Sequence, residues 1–465
     1  MIIRGPILNP RADGSVEYIS DGVLEGEDRI SFIGSYDTFI SQPRWNTTTT
    51  EARAPEIRES RGIIIPAFLD AHIHIPQHPI RGRFTEGVEG DPPEGRLLAG
   101  LNRNVFPAEG MCADIHHAGE TINAFLKDTL SQGVVGGAAY MTVHPAAARE
   151  ALRILPDSWH IGLVLMDQNC PEYLRNNPTT IDRDLRALAD EFGGRSIITD
   201  RFAVACSTEL RRLGVAVAKD HSLRTQTHLN EQLQEKAFVE ESLYPHSNSY
   251  TDVYRADGLL AHRAMLAHCV HMTDTEWRML SDSDVAVMHC PTSNLLLGSG
   301  VMKLNEVKSL GIDYAICTDV GASPTTSMLM EMAQFVLVHR RSGAEASGLG
   351  CEALFRSTLA PARILSLERD LGSLEVGKRM SFVEVEVDDN GFADAEDAIV
   401  AGLFGRDDVS EETLEVIDLL AKNLQVSSAM LDRLDDETRR RAASFERRII
   451  RVIHCGINMF VPRRE

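Results

Sequence analysis

No apolar stretch in this 465-residue chain approaches membrane-spanning length, and the start, MIIRGPILNPRADG, lacks a charged segment followed by an apolar run. A cytoplasmic protein is expected. The eight cysteines, Cys112, Cys170, Cys206, Cys269, Cys290, Cys317, Cys351 and Cys455, form no CxxC pair, which argues against a disulfide scaffold or a zinc knuckle. HxE and PCxxC are both missing, so deamination chemistry of the cytidine type is excluded. Positive charge is scarce: 47 Lys plus Arg against 68 Asp plus Glu leave a formal charge of -21, a field that repels polyanions. Neither nucleic acid nor a membrane is an expected partner. Aromatic residues are few, at 6%, but 43% apolar residues and this length support one large soluble domain with an accessory unit.

From residue 63 to about 318, short β-branched apolar runs alternate with helix-like segments. The runs are GIIIPAFLDAHIH, GVVGGAAYMTVH, HIGLVLMDQN, SIITDRFAV, SLRTQTHLNE, AMLAHCV, VAVMHCPTSN and IDYAICTDV. Their interiors are nearly all apolar, as in strands buried on both faces, and several end in ionisable residues. Eight such units predict an α/β fold, a (β/α)8 barrel over residues 63–370, with chemistry gathered at the strand C-termini. Residues 1–62 and 371–465 read as short antiparallel strands. Together they are expected to form one small β-sandwich domain from both chain termini. A helical insertion is expected over 407–447, capped by Ser410, with Leu414, Ile417, Ala421 and Leu424 on its packing face.

A lone HxH is weak, but His72 and His74 end the first run, and residues i and i+2 of a strand share a side. His228 ends the fifth run with Glu231 three residues on, His268 ends the sixth, and Asp319 follows the eighth. Imidazoles from strands one and five with a carboxylate from strand eight make a three-nitrogen, one-oxygen set that leaves a position for water.

These positions resemble the amidohydrolase superfamily, and within it the guanine deaminase branch. The likeness rests on HIHIPQ, FPAE at Phe106–Glu109, RFAVACS from Arg201, THLNE, NSYTDVY from Asn248, AHC, HCPTSNL and TDVGA. Ala67, His78, Cys317 and Ser381 depart from that branch's usual residues. The resemblance implies one divalent metal ion per chain on His72, His74, His228 and Asp319, with Zn2+ the default and Fe2+ the second choice. IITDRFAV holds no lysine to bridge a second metal.

It further implies hydrolytic deamination of guanine to xanthine and ammonia. Glu231 would shuttle protons, His268 would orient the attacking water, and Asp319 would bind the metal or take the water proton. Arg201 fits the adjacent O6 and N7 acceptors of guanine, Gln77 the purine edge, and Phe202 an aromatic wall, with His268 also near the substrate. A homodimer is implied. Three rivals stay open: the same machinery on 8-oxoguanine, a pterin or an s-triazine; a non-catalytic purine-binding module; and a two-metal amide hydrolase. His78, His144 and His289 receive no role.

Overall fold

Every residue of the first three barrel strands is buried, and this decides what those segments become. The computed structural model describes residues 1–45, 56–90, 92, 94–261, 263–345, 347–387, 391–405, 409–424 and 426–460. The barrel strands are β1 (Phe68–His74), β2 (Val134–Tyr140), β3 (Trp159–Leu165) and β4 (Ser196–Asp200), followed by β5 (Thr225–Leu229), β6 (Ala264–His268), β7 (Val285–His289) and β8 (Asp313–Ile316). They pair in sequence order, all parallel. Closure between β1 and the chain after β8 is made by His74 N–H donating to the Val320 carbonyl at 2.7 Å and Asp319 N–H to that of His72 at 3.0 Å. Asp70 adds a buried anchor, accepting from Thr318 Oγ1 at 2.5 Å.

The barrel interior is filled by small and pliable side chains, among them Ala71, Ala138, Ala267, Ala315, Met265 and Met288. Outside the strands, a larger apolar shell joins them to the surrounding helices. The expected (β/α)8 barrel with a second β-unit from both termini is the observed architecture.

GIIIPAFLDAHIH, expected as one strand, is two. Gly62–Pro66 pairs antiparallel with Phe382–Glu386 in the terminal sheet, whereas Phe68–His74 opens the barrel. Hydrogen bonding changes hands within one residue: Ala67 N–H donates to the Ser381 carbonyl at 3.3 Å, and Phe68 N–H to that of Gly133 at 2.9 Å. The terminal sheet takes strands from Ile2–Pro10, Val16–Gly26, Ile30–Ser35 and Ile57–Glu59, and from Ile449–His454 and Ile457–Phe460. Ile7, Leu24, Ile64, Phe382 and Ile453 form its core.

The C-terminal helices are Glu411–Ala421 and Ser428–Glu446. Ser410 caps the first by accepting from Thr413 N–H. Its buried residues are Thr413, Val416, Ile417 and Leu420, so the packing face is rotated from the expected one. Leu424 lies past the helix end and is 51% exposed, because the partners of this face are Leu295, Leu296 and Leu431. Among the described residues, no helix is long and apolar enough to cross a membrane.

Candidate active site

Four strand ends bring ionisable groups to the barrel mouth, and three of them turn sharply there. Asn230, His268, Cys269 and Asp319 all have left-handed backbone, with φ of 52°, 72°, 51° and 53°. This conformation is costly for side-chain-bearing residues and is held by local hydrogen bonds. Val270 and His271 N–H both donate to the Asn230 carbonyl, and Cys269 N–H donates to that of Leu229. The turns aim side chains into the mouth instead of continuing the strands.

His72, His228, His268 and Asp319 converge, each offering a ligand atom within 4.8 Å of the others, and all four are buried. His74 stands beside them, its Nε2 3.2 Å from both Asp319 Oδ1 and His228 Nε2. The converging quartet thus holds His268 in the place the sequence reading assigns to His74. The donor chemistry fits a divalent cation. His228 Nδ1 lies 2.6 Å from the Arg201 carbonyl and His268 Nδ1 lies 2.8 Å from Asn294 Oδ1, so each ring donates on that side and keeps a lone pair on Nε2. His72 Nε2 lies 3.3 Å from Asp319 Oδ1, and His268 Nε2 is buried without a hydrogen-bond partner. His74 differs: its Nδ1 accepts from Arg201 Nη1 at 3.0 Å, which puts the proton of a neutral ring on Nε2.

Electrostatics separate the groups. Burial pushes His74 down to about 3 and His268 down to about 4, and burial with the neighbouring His72 and His74 holds His228 well below the usual imidazole range. Burial opposes ionisation of Asp319, but hydrogen bonds from His72 and His74 outweigh it and hold its carboxyl well below the usual range. One carboxylate beside the neutral imidazoles of His74, His228 and His268 is a set that a dication completes. Glu231 is 2% exposed, and burial, then the charges of Asp319 and Glu235, push its carboxyl well above the usual range. Its Oε2 faces His268 Nε2 at 3.5 Å.

A small cavity opens beside these groups. Its polar lining includes Gln77, Arg201 and Glu231, and its apolar lining Phe84, Leu97, Leu101, Phe202 and Leu297. Arg201 and Gln77 share one carboxylate oxygen: Glu109 Oε1 lies 3.2 Å from Arg201 Nη2 and accepts from Gln77 Nε2 at 3.0 Å. Glu109 is 1% exposed, its other oxygen has no partner, and burial raises its pKa.

The amidohydrolase family profile matches residues 63–431, which span the whole barrel. The chain belongs to the amidohydrolase family. Within it, the guanine deaminase of Escherichia coli (strain K12) is 33% identical over 339 residues, covering 71% of this chain and 74% of that protein. The solved structure of the E. coli guanine deaminase superposes with a TM-score of 0.75 at 25% identity, covering 99% of each chain. A guanine deaminase structure from C. acetobutylicum with guanine bound in its active site gives the same TM-score, identity and coverage.

Sequence reasoning about this amidohydrolase missed Glu109 as a site residue, although FPAE contains it. It also missed Tyr140 at the end of β2, whose ring centroid lies 4.6–5.1 Å from those of His72, His74 and His228. The signal for Tyr140 was its place at a strand tip, the same signal that found the histidines. Two of the unassigned histidines are braces away from the cavity: His78 lies 2.9 Å from Asp128, and His289 pairs with His339 at 2.9 Å. His144 takes the cap position before helix Pro145–Ile154.

Proposed function

We propose that the chain is a guanine aminohydrolase, converting guanine and water to xanthine and ammonia with one divalent cation per chain. The observation that carries this reading is a single cavity in which proton-transfer and metal-type donors meet an arginine, a glutamine and an aromatic wall. The guanine deaminases to which the chain is similar support it.

His72, His74, His228 and Asp319 would hold the cation, with His268 beside them. When bound, the cation supplies the acidity that yields a water nucleophile at neutral pH. His74 joins the set once Arg201 turns from its Nδ1 toward the substrate, since a ring accepting at Nδ1 has its proton on Nε2. Arg201 would donate to O6 and N7, Gln77 would bind the purine edge, and Phe202 would flank the ring.

Glu231 takes one proton from the attacking water and passes it to N3 as the nucleophilic oxygen bonds to C2. The resulting carboxylate takes the proton from the new C2 hydroxyl and hands it to the amino group. The C2–N bond then breaks, ammonia leaves, and C2 keeps the oxygen as the carbonyl of xanthine. His268, with Nδ1 tied to Asn294, directs Nε2 at the attacking oxygen.

Ammonia release from a panel of guanine, 8-oxoguanine, a pterin and an s-triazine, with metal content measured on the same protein, tests the reading. Turnover of guanine is expected; turnover of a pterin or triazine with none of guanine overturns the substrate assignment. Zinc is the proposed metal, with iron second, and elemental analysis decides between them. A cytoplasmic homodimer completes the proposal; the eight unpaired cysteines support the reducing compartment alone. A single-chain mass by light scattering removes the dimer.

A further inference from the structure

One short stretch, Ser293–Ser299, reaches three of the reacting groups. Ser293 Oγ donates to Asp319 Oδ2 at 2.6 Å, Asn294 Oδ1 accepts from His268 Nδ1 at 2.8 Å, and Ser299 Oγ donates to Glu231 Oε1 at 3.2 Å. The first two contact members of the converging quartet. The third touches the proposed proton carrier, and nothing in the mechanism above uses it.

Ser299 is 3% exposed and fixed on every side. Its N–H donates to the Asn294 carbonyl at 2.8 Å, and its own carbonyl accepts from His271 Nε2 at 2.7 Å. Gly298 and Gly300 on either side have φ of 68° and 121°, conformations that leave Ser299 the one side chain at this bend. Behind the stretch, Leu295 and Leu296 pack on Val416, Ile417 and Leu420 of the C-terminal helices. The position of the hydroxyl is therefore set by packing from outside the barrel.

Its direction is set as well. Gln232 Nε2 donates to Ser299 Oγ at 3.5 Å, and to the Leu297 carbonyl at 2.8 Å. An oxygen that accepts from Gln232 presents its own hydrogen to Glu231. Glu231 Oε1 is thereby capped, while Oε2 is the oxygen that faces His268. A carboxyl capped by a donor on one oxygen carries its proton on the other.

We propose that Ser299 is a positioning residue for the reaction, distinguishing the two oxygens of Glu231 so that Oε2 carries the transferred proton into the substrate cavity. This rests on the aminohydrolase reading. Ser299 touches neither ring nor cation, so its effect is confined to proton transfer. Substrate affinity and metal content are left unchanged.

Ser299→Ala and Ser299→Thr, each purified with measured metal content, test the assignment through kcat and KM for guanine and calorimetric Kd for xanthine. Ser299→Ala should lower kcat about 10- to 100-fold, part of the ~10²–10⁴ that general acid–base catalysis supplies. KM and the xanthine Kd should stay within about twofold, metal near one per chain, and Ser299→Thr, which keeps the hydroxyl, should recover most of the loss. An alanine variant with wild-type kcat overturns the proposal. So do equal losses in both variants, or xanthine affinity falling in step with kcat. Should the alanine chain fail to fold, Ser299→Cys keeps the volume with a weaker donor and must show a kcat loss; full turnover by it overturns the proposal equally. The substrate reading fails separately, on the wild type, if guanine releases no ammonia while another ring of the panel does. The same variants are then judged on that ring by the same criteria.

Discussion

Asp200 and Arg201 are successive residues at the end of one barrel strand, and each enters a buried charged cluster of opposite character. On the Asp200 side, Arg211 is 1% exposed and partnered at every nitrogen. Its Nε donates to Asp200, Nη1 to Asp257 Oδ2 at 2.6 Å, and Nη2 to the Cys206 carbonyl at 2.8 Å. Arg212 closes the remaining oxygen of Asp257 at 2.8 Å. On the Arg201 side, Arg201 Nε, Glu109 Oε2 and His268 Nε2 are buried without partners. Burial is equal; completeness is not. A satisfied cluster holds the fold, and an unsatisfied one at a cavity is a site awaiting a ligand.

The largest expected effect breaks the incomplete cluster. Glu231→Gln keeps size and burial but removes the proton carrier, and should cut turnover more than ~10³-fold, with metal content near one per chain and an unchanged melting temperature. Undiminished turnover removes Glu231 from its role. Arg211→Met then breaks the complete cluster. It leaves Asp200 without a charged partner and Asp257 with Arg212 alone, and should cost about 3–5 kcal/mol in urea denaturation, while kcat per folded molecule stays at the wild-type value. A variant of normal stability with collapsed kcat would show that the two clusters act as one.

The same contrast explains what was legible in the sequence. Strand tips lie in one chain segment each, so apolar runs ending in His72, His74, His228 and His268 were readable as groups that meet. Asp200 and Arg201 also sat at a tip, but which cluster each would join depends on helix Thr208–His221, which delivers Arg211, and on helix Phe106–Met111, which delivers Glu109. Ser299 was unreadable for a similar reason, since its aim comes from packing by helices more than a hundred residues later. The break at Ala67 hid inside a continuous apolar run, because burial in either sheet demands the same residues.

A smaller effect sharpens the boundary between the clusters. Arg201→Lys keeps the charge but has no planar fork to hold Glu109 while reaching a ring. KM for guanine should rise about 10- to 100-fold, with stability within about 1 kcal/mol of wild type. A stability loss as large as that of Arg211→Met, with KM unchanged, would place Arg201 among the structural charges instead.

The smallest effect asks whether a buried, unpartnered nitrogen is enough to mark a site. His160, near the start of β3 and far in the strand from its mouth end, is 7% exposed and its Nδ1 has no partner. Unlike the mouth histidines, it is not part of the converging group. Burial, then the charge of Arg224, pushes it down to about 4. Because the folded value lies below the unfolded value of about 6.5, the stability it contributes is complete above 6.5 and is lost as pH falls toward 4. Between pH 7 and 5 this residue should account for about 1–2 kcal/mol of lost stability. His160→Gln should flatten that part of the slope relative to wild type in urea denaturation and leave kcat at pH 7.5 unchanged. A fall in kcat would mean that an orphaned nitrogen anywhere in the barrel bears on the reaction. An unchanged kcat ties function to the shared focus of such groups at the mouth.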